Sequence, residues 1–63
     1  MITKEKIKLW RWQNGYTQYR LGELLGVHES TICRIEKGTR GFSEKLEWVI
    51  LKKCKGIEKI KVE

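Results

Sequence analysis

The 63-residue chain has no proline, one histidine and two cysteines, and each scarcity removes a class of protein. Without proline, no position loses a backbone donor and breaks a helix. Cys33 and Cys54 make no disulfide framework, and with His28 as the lone histidine there is no Cys/His spacing suited to a metal. The longest apolar run, Trp48 to Leu51, is far too short for a membrane span or a signal peptide. Repeats, linkers and low-complexity tracts are also missing. The expectation is a soluble cytoplasmic protein in a reducing compartment, with no metal, cofactor or small-molecule ligand and no membrane partner. A chain this short buries only about 60% of its unfolded surface, which leaves little room for an enclosed pocket. With no nucleophile–base pair and no glycine-rich phosphate loop, an enzyme is not expected.

What is present is positive charge. Fourteen Lys and Arg against eight Asp and Glu give a net charge of +6, which points to a polyanion: nucleic acid or a membrane surface. Most lysines crowd the two ends (Lys4, Lys6 and Lys8; Lys52, Lys53, Lys55, Lys59 and Lys61), where solvation explains them. Arg20, Arg34, Lys37 and Arg40 lie in the middle, and their placement carries more information.

Helical periodicity organises the rest. A first helix runs from about Thr3 to Asn14, with Thr3 as cap, Ile7, Trp10 and Asn14 on one face, and Gly15 as the stop. Thr17 caps a second helix that turns Leu21, Leu24 and Leu25 inward and ends at Gly26. A third follows almost at once, from about Glu29 to Lys37, with Ile32 and Ile35 inward and Gly38 behind it. A fourth begins near Ser43 or Glu44 and presents Leu46, Val49, Ile50 and Cys54. The tail from Gly56 to Glu63 fits a short helix, a strand or an unstructured end. The fold class is therefore all-α: one compact domain over residues 1–63 with four to five helices. Two helices of eight or nine residues joined by three or four cannot lie antiparallel. They cross at roughly 90–120°, a helix-turn-helix over about residues 17–37.

The stretch TQYRLGELLGVHESTICRIEKGTR, Thr17 to Arg40, resembles the helix-turn-helix of the Cro/repressor family, also called XRE-type or lambda-repressor-like. The resemblance rests on Thr17-Gln18, Gly22, Leu25-Gly26-Val27, Thr31-Ile32, Ile35-Glu36 and Gly38. It extends over about residues 3 to 52. It implies a sequence-specific regulator of transcription, of phage or mobile-element type, whose third helix enters the major groove of double-stranded DNA. It further implies that Gln18 contacts a phosphate and supports the third helix. Glu29, Ser30 and Arg34 match base-reading positions, while Thr31, Lys37 and Arg40 match positions near the sugar-phosphate backbone. Arg11 matches an arginine that pairs with Glu36. For that ion pair, exchanging the two charges is the expected rescue of either single mutation.

The side chains bear on these roles independently. Arg34 carries the planar fork that bonds a guanine edge, or else pairs with an acid one turn away. Glu29 can accept from a cytosine amine, or simply suit the positive end of the helix dipole. Lys37 and Arg40 face phosphate or solvent. Cys33, on the same face, touches a thymine methyl, reports oxidation, or is merely small. Three residues depart from the family pattern. His28 stands at the N-cap of the third helix, where histidine caps less well; it either reaches toward DNA or, as expected, lies in solvent. Arg20 replaces a capping-box glutamate and is free to meet a phosphate. Gly22 replaces an alanine, at a cost of up to roughly 1 kcal/mol. Leu9, Trp12, Trp48, Leu51, Ile57 and Ile60 exceed the needs of a small core. Either they form a homodimer contact that pairs two modules on a palindromic site, or the tail folds back over some of them. The competing function is a protein-interaction module, such as an antitoxin or accessory factor, whose basic charge is incidental.

Overall fold

The computed structural model describes residues 2–62; Met1 and Glu63, the ends of the expected domain, lie outside the described residues. Four α-helices follow one another: α1 (Lys4–Gln13), α2 (Gln18–Leu25), α3 (Glu29–Lys37) and α4 (Glu44–Lys53), then a single 3-10 turn, Ile57–Lys59. No strand occurs among the described residues.

Local chemistry sets the boundaries. The hydroxyls of Thr3, Thr17 and Ser43 accept backbone N–H bonds from Lys6, Arg20 and Leu46 at the starts of α1, α2 and α4. At the ends of α2 and α3 the chain turns through left-handed glycines, Gly26 at φ 75° and Gly38 at φ 81°. Each helix then buries one stripe. Ile7 and Trp10 of α1, Leu21 and Leu25 of α2, Ile32 and Ile35 of α3, and Ile50 of α4 meet in one core with Ile2, Cys54 and Ile57. Among the described residues, no buried side-chain nitrogen or oxygen lacks a hydrogen-bond partner.

The structure corrects some expectations and refines others. Asn14 lies exposed at the end of α1, and both its backbone N–H and its side-chain amide donate to the Trp10 carbonyl, closing the helix. His28 is exposed as expected, but it does cap α3, since its Nδ1 accepts the Ser30 N–H at 3.1 Å. Ile57 is no dimer contact; at 1% exposure it is core, because the tail folds back and lays the 3-10 turn against α1. Ile60 is partly buried against the same core and Leu9 is half-buried, which leaves Trp12, Trp48 and Leu51 as the exposed members of that set. The fold-back is held at the end of α4, where the Trp10 indole Nε1 donates to the Lys55 carbonyl at 2.9 Å.

Burial raises the Cys54 thiol from its ordinary 9.0 to about 11. In the unfolded chain this thiol loses its proton near pH 9, and in the folded chain only near 11. Between those values the folded state holds more protons, so raising the pH favours unfolding. Urea titrations across this window should show a loss on the order of 1–2 kcal/mol that is absent from Cys54→Val, which keeps the site apolar. Equal alkaline losses in both proteins would remove Cys54 as the cause.

Candidate nucleic-acid interface

The third helix divides cleanly. Ile32 and Ile35 are 0% and 1% exposed, whereas Glu29, Arg34 and Lys37 are exposed and Ser30, Thr31 and Cys33 are half-exposed. The C-terminal turn packs on α1, so it does not cover this polar side. Among the described residues no carboxylate pairs with Arg34, whose five donors stay available. Its carbonyl, by contrast, is held by the Thr39 N–H at 3.0 Å and the Thr39 hydroxyl at 3.2 Å, which finish α3. At the other end, the Ser30 hydroxyl lies 2.9 Å from the same His28 Nδ1 that caps the helix. Ser30 is thus held toward the cap in the free protein, with its hydroxyl oxygen still able to accept.

A part-buried polar cluster ties α3 to α1 and α2. Arg11 Nε and Nη2 grip both oxygens of Glu36 at 2.7 and 2.9 Å, and Arg11 Nη1 donates to the Tyr16 carbonyl at 3.1 Å. Gln18 Nε2 adds a bond to Glu36 Oε1 at 3.2 Å. The two charged side chains are only 11% and 5% exposed. Four pieces of chain, namely the end of α1, the loop after it, the start of α2 and the end of α3, are therefore locked by one carboxylate and one guanidinium. Gln18 reaches α3 through Glu36 from the first position of α2.

Two of the candidate phosphate-contacting arginines line two shallow clefts. Thr31 and Arg40 share the rim of one, about 310 Å³, with Ser43 and Lys45 at the start of α4; Leu46 and Val49 form part of its floor. Arg20 lines the other, about 380 Å³, with Asn14, Gly15 and Tyr16 of the α1–α2 loop. The Arg20–Glu23 contact is long, at 3.7 Å, and highly exposed, so it holds Arg20 weakly. Lys37 stands apart from both clefts, at the last position of α3. Sequence reasoning missed Ser43 and Lys45 as cleft residues; a hydroxyl and a cation flanking a helix start were the available signal. Among the described residues, no group of three or more His, Cys, Asp or Glu could hold a metal ion, and no helix is long and apolar enough to cross a membrane.

Comparison with known proteins meets this geometry. The helix-turn-helix family model matches residues 7–46, from within α1 to the first turn of α4. A Bacillus subtilis (strain 168) protein, the uncharacterized HTH-type transcriptional regulator YgzD, is 49% identical over 35 residues, 56% of this chain. The chain spans about half the length of that curated relative, since the match covers 53% of it. No solved structure matches the chain significantly.

Proposed function

Because the chain belongs to the XRE/Cro helix-turn-helix family, we propose that it is a transcription regulator that reads double-stranded DNA with α3 in the major groove. One observation carries this reading. The helix is buried on its isoleucine side and open on its polar side, with Arg34 unpaired among the described residues and Glu29, Ser30 and Cys33 beside it. Arg34 bonds a guanine edge, and Glu29 accepts from a cytosine amine while repelling misplaced phosphate. Gln18 and Arg20 at the start of α2, with Thr31, Lys37 and Arg40 around the end and flank of α3, set the register on the backbone. Two copies act on a palindromic site in the cytoplasm, in the phage or mobile-element setting that the family resemblance suggests.

Selection of bound sites from random duplexes tests the reading. The wild type should enrich one motif and show a salt slope of several released counterions. Arg34→Ala should lose roughly 1–3 kcal/mol of discrimination at one base pair and leave the salt slope nearly intact. If the wild type enriches no motif, specific reading fails; if Arg34→Ala recovers the same motif unchanged, the base role of Arg34 fails. A second reading, an antitoxin-like or accessory interaction module, draws on the exposed Trp12, Trp48 and Leu51. It predicts salt-sensitive DNA binding without sequence preference.

A further inference from the structure

We propose that His28 is a specificity-determining residue: one ring nitrogen caps α3, and the other donates a hydrogen bond to the major-groove edge of a base. The proposal rests on the reading above, since it needs α3 in that groove, and it adds a contact from the turn before the helix. The two ring nitrogens have different tasks. Nδ1 accepts the Ser30 N–H at 3.1 Å, so it carries no proton, and the proton of the neutral imidazole then sits on Nε2. The Ser30 hydroxyl, 2.9 Å from the same Nδ1, supports this tautomer by donating to it. The side chain is exposed, and among the described residues Nε2 has no partner. The capping bond therefore leaves a free N–H across the ring. A serine cap has one polar atom and holds it at the helix start, whereas the imidazole has a second to offer.

Position and charge favour a base over a phosphate as the acceptor. The residue is held by its backbone as well as its ring, because its carbonyl accepts the Thr31 N–H at 3.0 Å and the Ile32 N–H at 3.4 Å. Gly22 of α2 lets this backbone approach closely: a Cβ there would lie 3.4 Å from the His28 carbonyl carbon. The donor is thus placed before DNA arrives and loses little freedom on binding. Its ring is tied to Ser30 and borders Glu29, the two residues that face base edges at the start of α3 in the reading above. The exposed Glu29 carboxylate next to it repels phosphate oxygens, while a base edge carries no net charge. A lone N–H donor bonds guanine N7 or O6, adenine N7 or thymine O4, and it is refused by the amine of cytosine. His28 and Glu29 therefore ask opposite questions of neighbouring groups, one needing an acceptor and the other a donor.

Site selection from random duplexes with the wild type, His28→Ser, His28→Asp and Ser30→Ala tests the assignment. Serine and aspartate both keep a side-chain cap on α3, so these variants should melt no lower than the wild type. Neither reaches the base with a donor. Each should lose about 3- to 10-fold of preference at one base pair, the worth of a single hydrogen bond, and keep the rest of the motif. That pair should present an acceptor in the wild-type motif and should differ from the one affected by Ser30→Ala. In the free protein, long-range proton–nitrogen NMR correlation in mildly alkaline buffer should place the ring proton on Nε2. The assignment is overturned by a proton on Nδ1, or by an unchanged motif from His28→Ser. It is also overturned by a loss at the Ser30 pair alone, which means that His28 acts through Ser30, or by equal weakening at every sequence, which marks a phosphate contact. DNA recognition survives each of these results, since the wild type still selects its motif. A wild type that selects no motif removes that recognition, and this assignment with it, whatever tautomer the ring adopts.

Discussion

Glu36→Ala is expected to remove a large share of the chain's stability. The carboxylate is 5% exposed and takes three donors: two from Arg11 and one from Gln18. Removing it strands a guanidinium whose side chain is itself only 11% exposed, a loss that approaches the about 3–5 kcal/mol of a broken buried pair. A domain of this length has roughly 3–9 kcal/mol in total, at about 0.05–0.15 kcal/mol per residue. The loss is thus on the order of a third or more of the whole stability, unlike that of an exposed ion pair. Urea unfolding followed by circular dichroism measures it, and a loss below about 1 kcal/mol would show that the pair behaves as a surface pair. The structure also changes which rescue should work. Exchanging the charges, Arg11→Glu with Glu36→Arg, looks sufficient from sequence. In the fold, however, a carboxylate at 11 would face the Tyr16 backbone carbonyl, which can only accept. Replacing the pair with Arg11→Met and Glu36→Leu removes both buried charges at similar volume and should recover more of the loss.

Gly22→Ala, a change toward the residue usual in this family, is expected to destabilise the chain by as much as about 3 kcal/mol, the upper part of the overpacking range. Intrinsic propensity argues the other way, since alanine in a helix is favoured over glycine by roughly 1 kcal/mol. Contact geometry decides. A Cβ on Gly22 would lie 2.6 Å from the Val27 carbonyl oxygen and 3.3 Å from the Glu29 nitrogen, both backbone atoms. Those atoms belong to the turn and the first residue of α3, and the Gly22 carbonyl already accepts the Val27 N–H at 2.9 Å. Relief therefore requires moving α3 away from α2, which also re-aims Glu29, Ser30 and Arg34. Thermal unfolding and DNA affinity should fall together. A variant that melts higher than wild type would mean that the turn yields more easily than its hydrogen bond implies.

Much of this architecture was legible because it is local. Threonine and serine caps, glycine stops and the spacing of isoleucine and leucine act within one or two turns, so the helix starts and inward stripes follow from neighbouring residues. The same locality left the task of Asn14 unread: periodicity named its face but not that its amide closes the helix. It also undervalued His28, because the ranking of cap residues does not include an imidazole nitrogen aimed at the Ser30 N–H. The candidate interface was half legible: the type and order of the polar residues on α3 can be read from the chain, but the freedom of Arg34 from the described carboxylates cannot.

The chain by itself determined four helices, a tight turn between the second and third, and a polar third helix with an isoleucine back, since each depends on contacts of short sequence separation. The tertiary structure alone decided that Ile57 belongs to the core, that Arg11 serves Tyr16 as well as Glu36, that Gly22 touches the next helix, and that Trp48 and Leu51 stay outside. These outcomes depend on which distant segments meet, as Trp10 meets Lys55 across 45 positions. Periodicity carries no record of such meetings, because it describes which face a residue occupies and not what arrives to cover it.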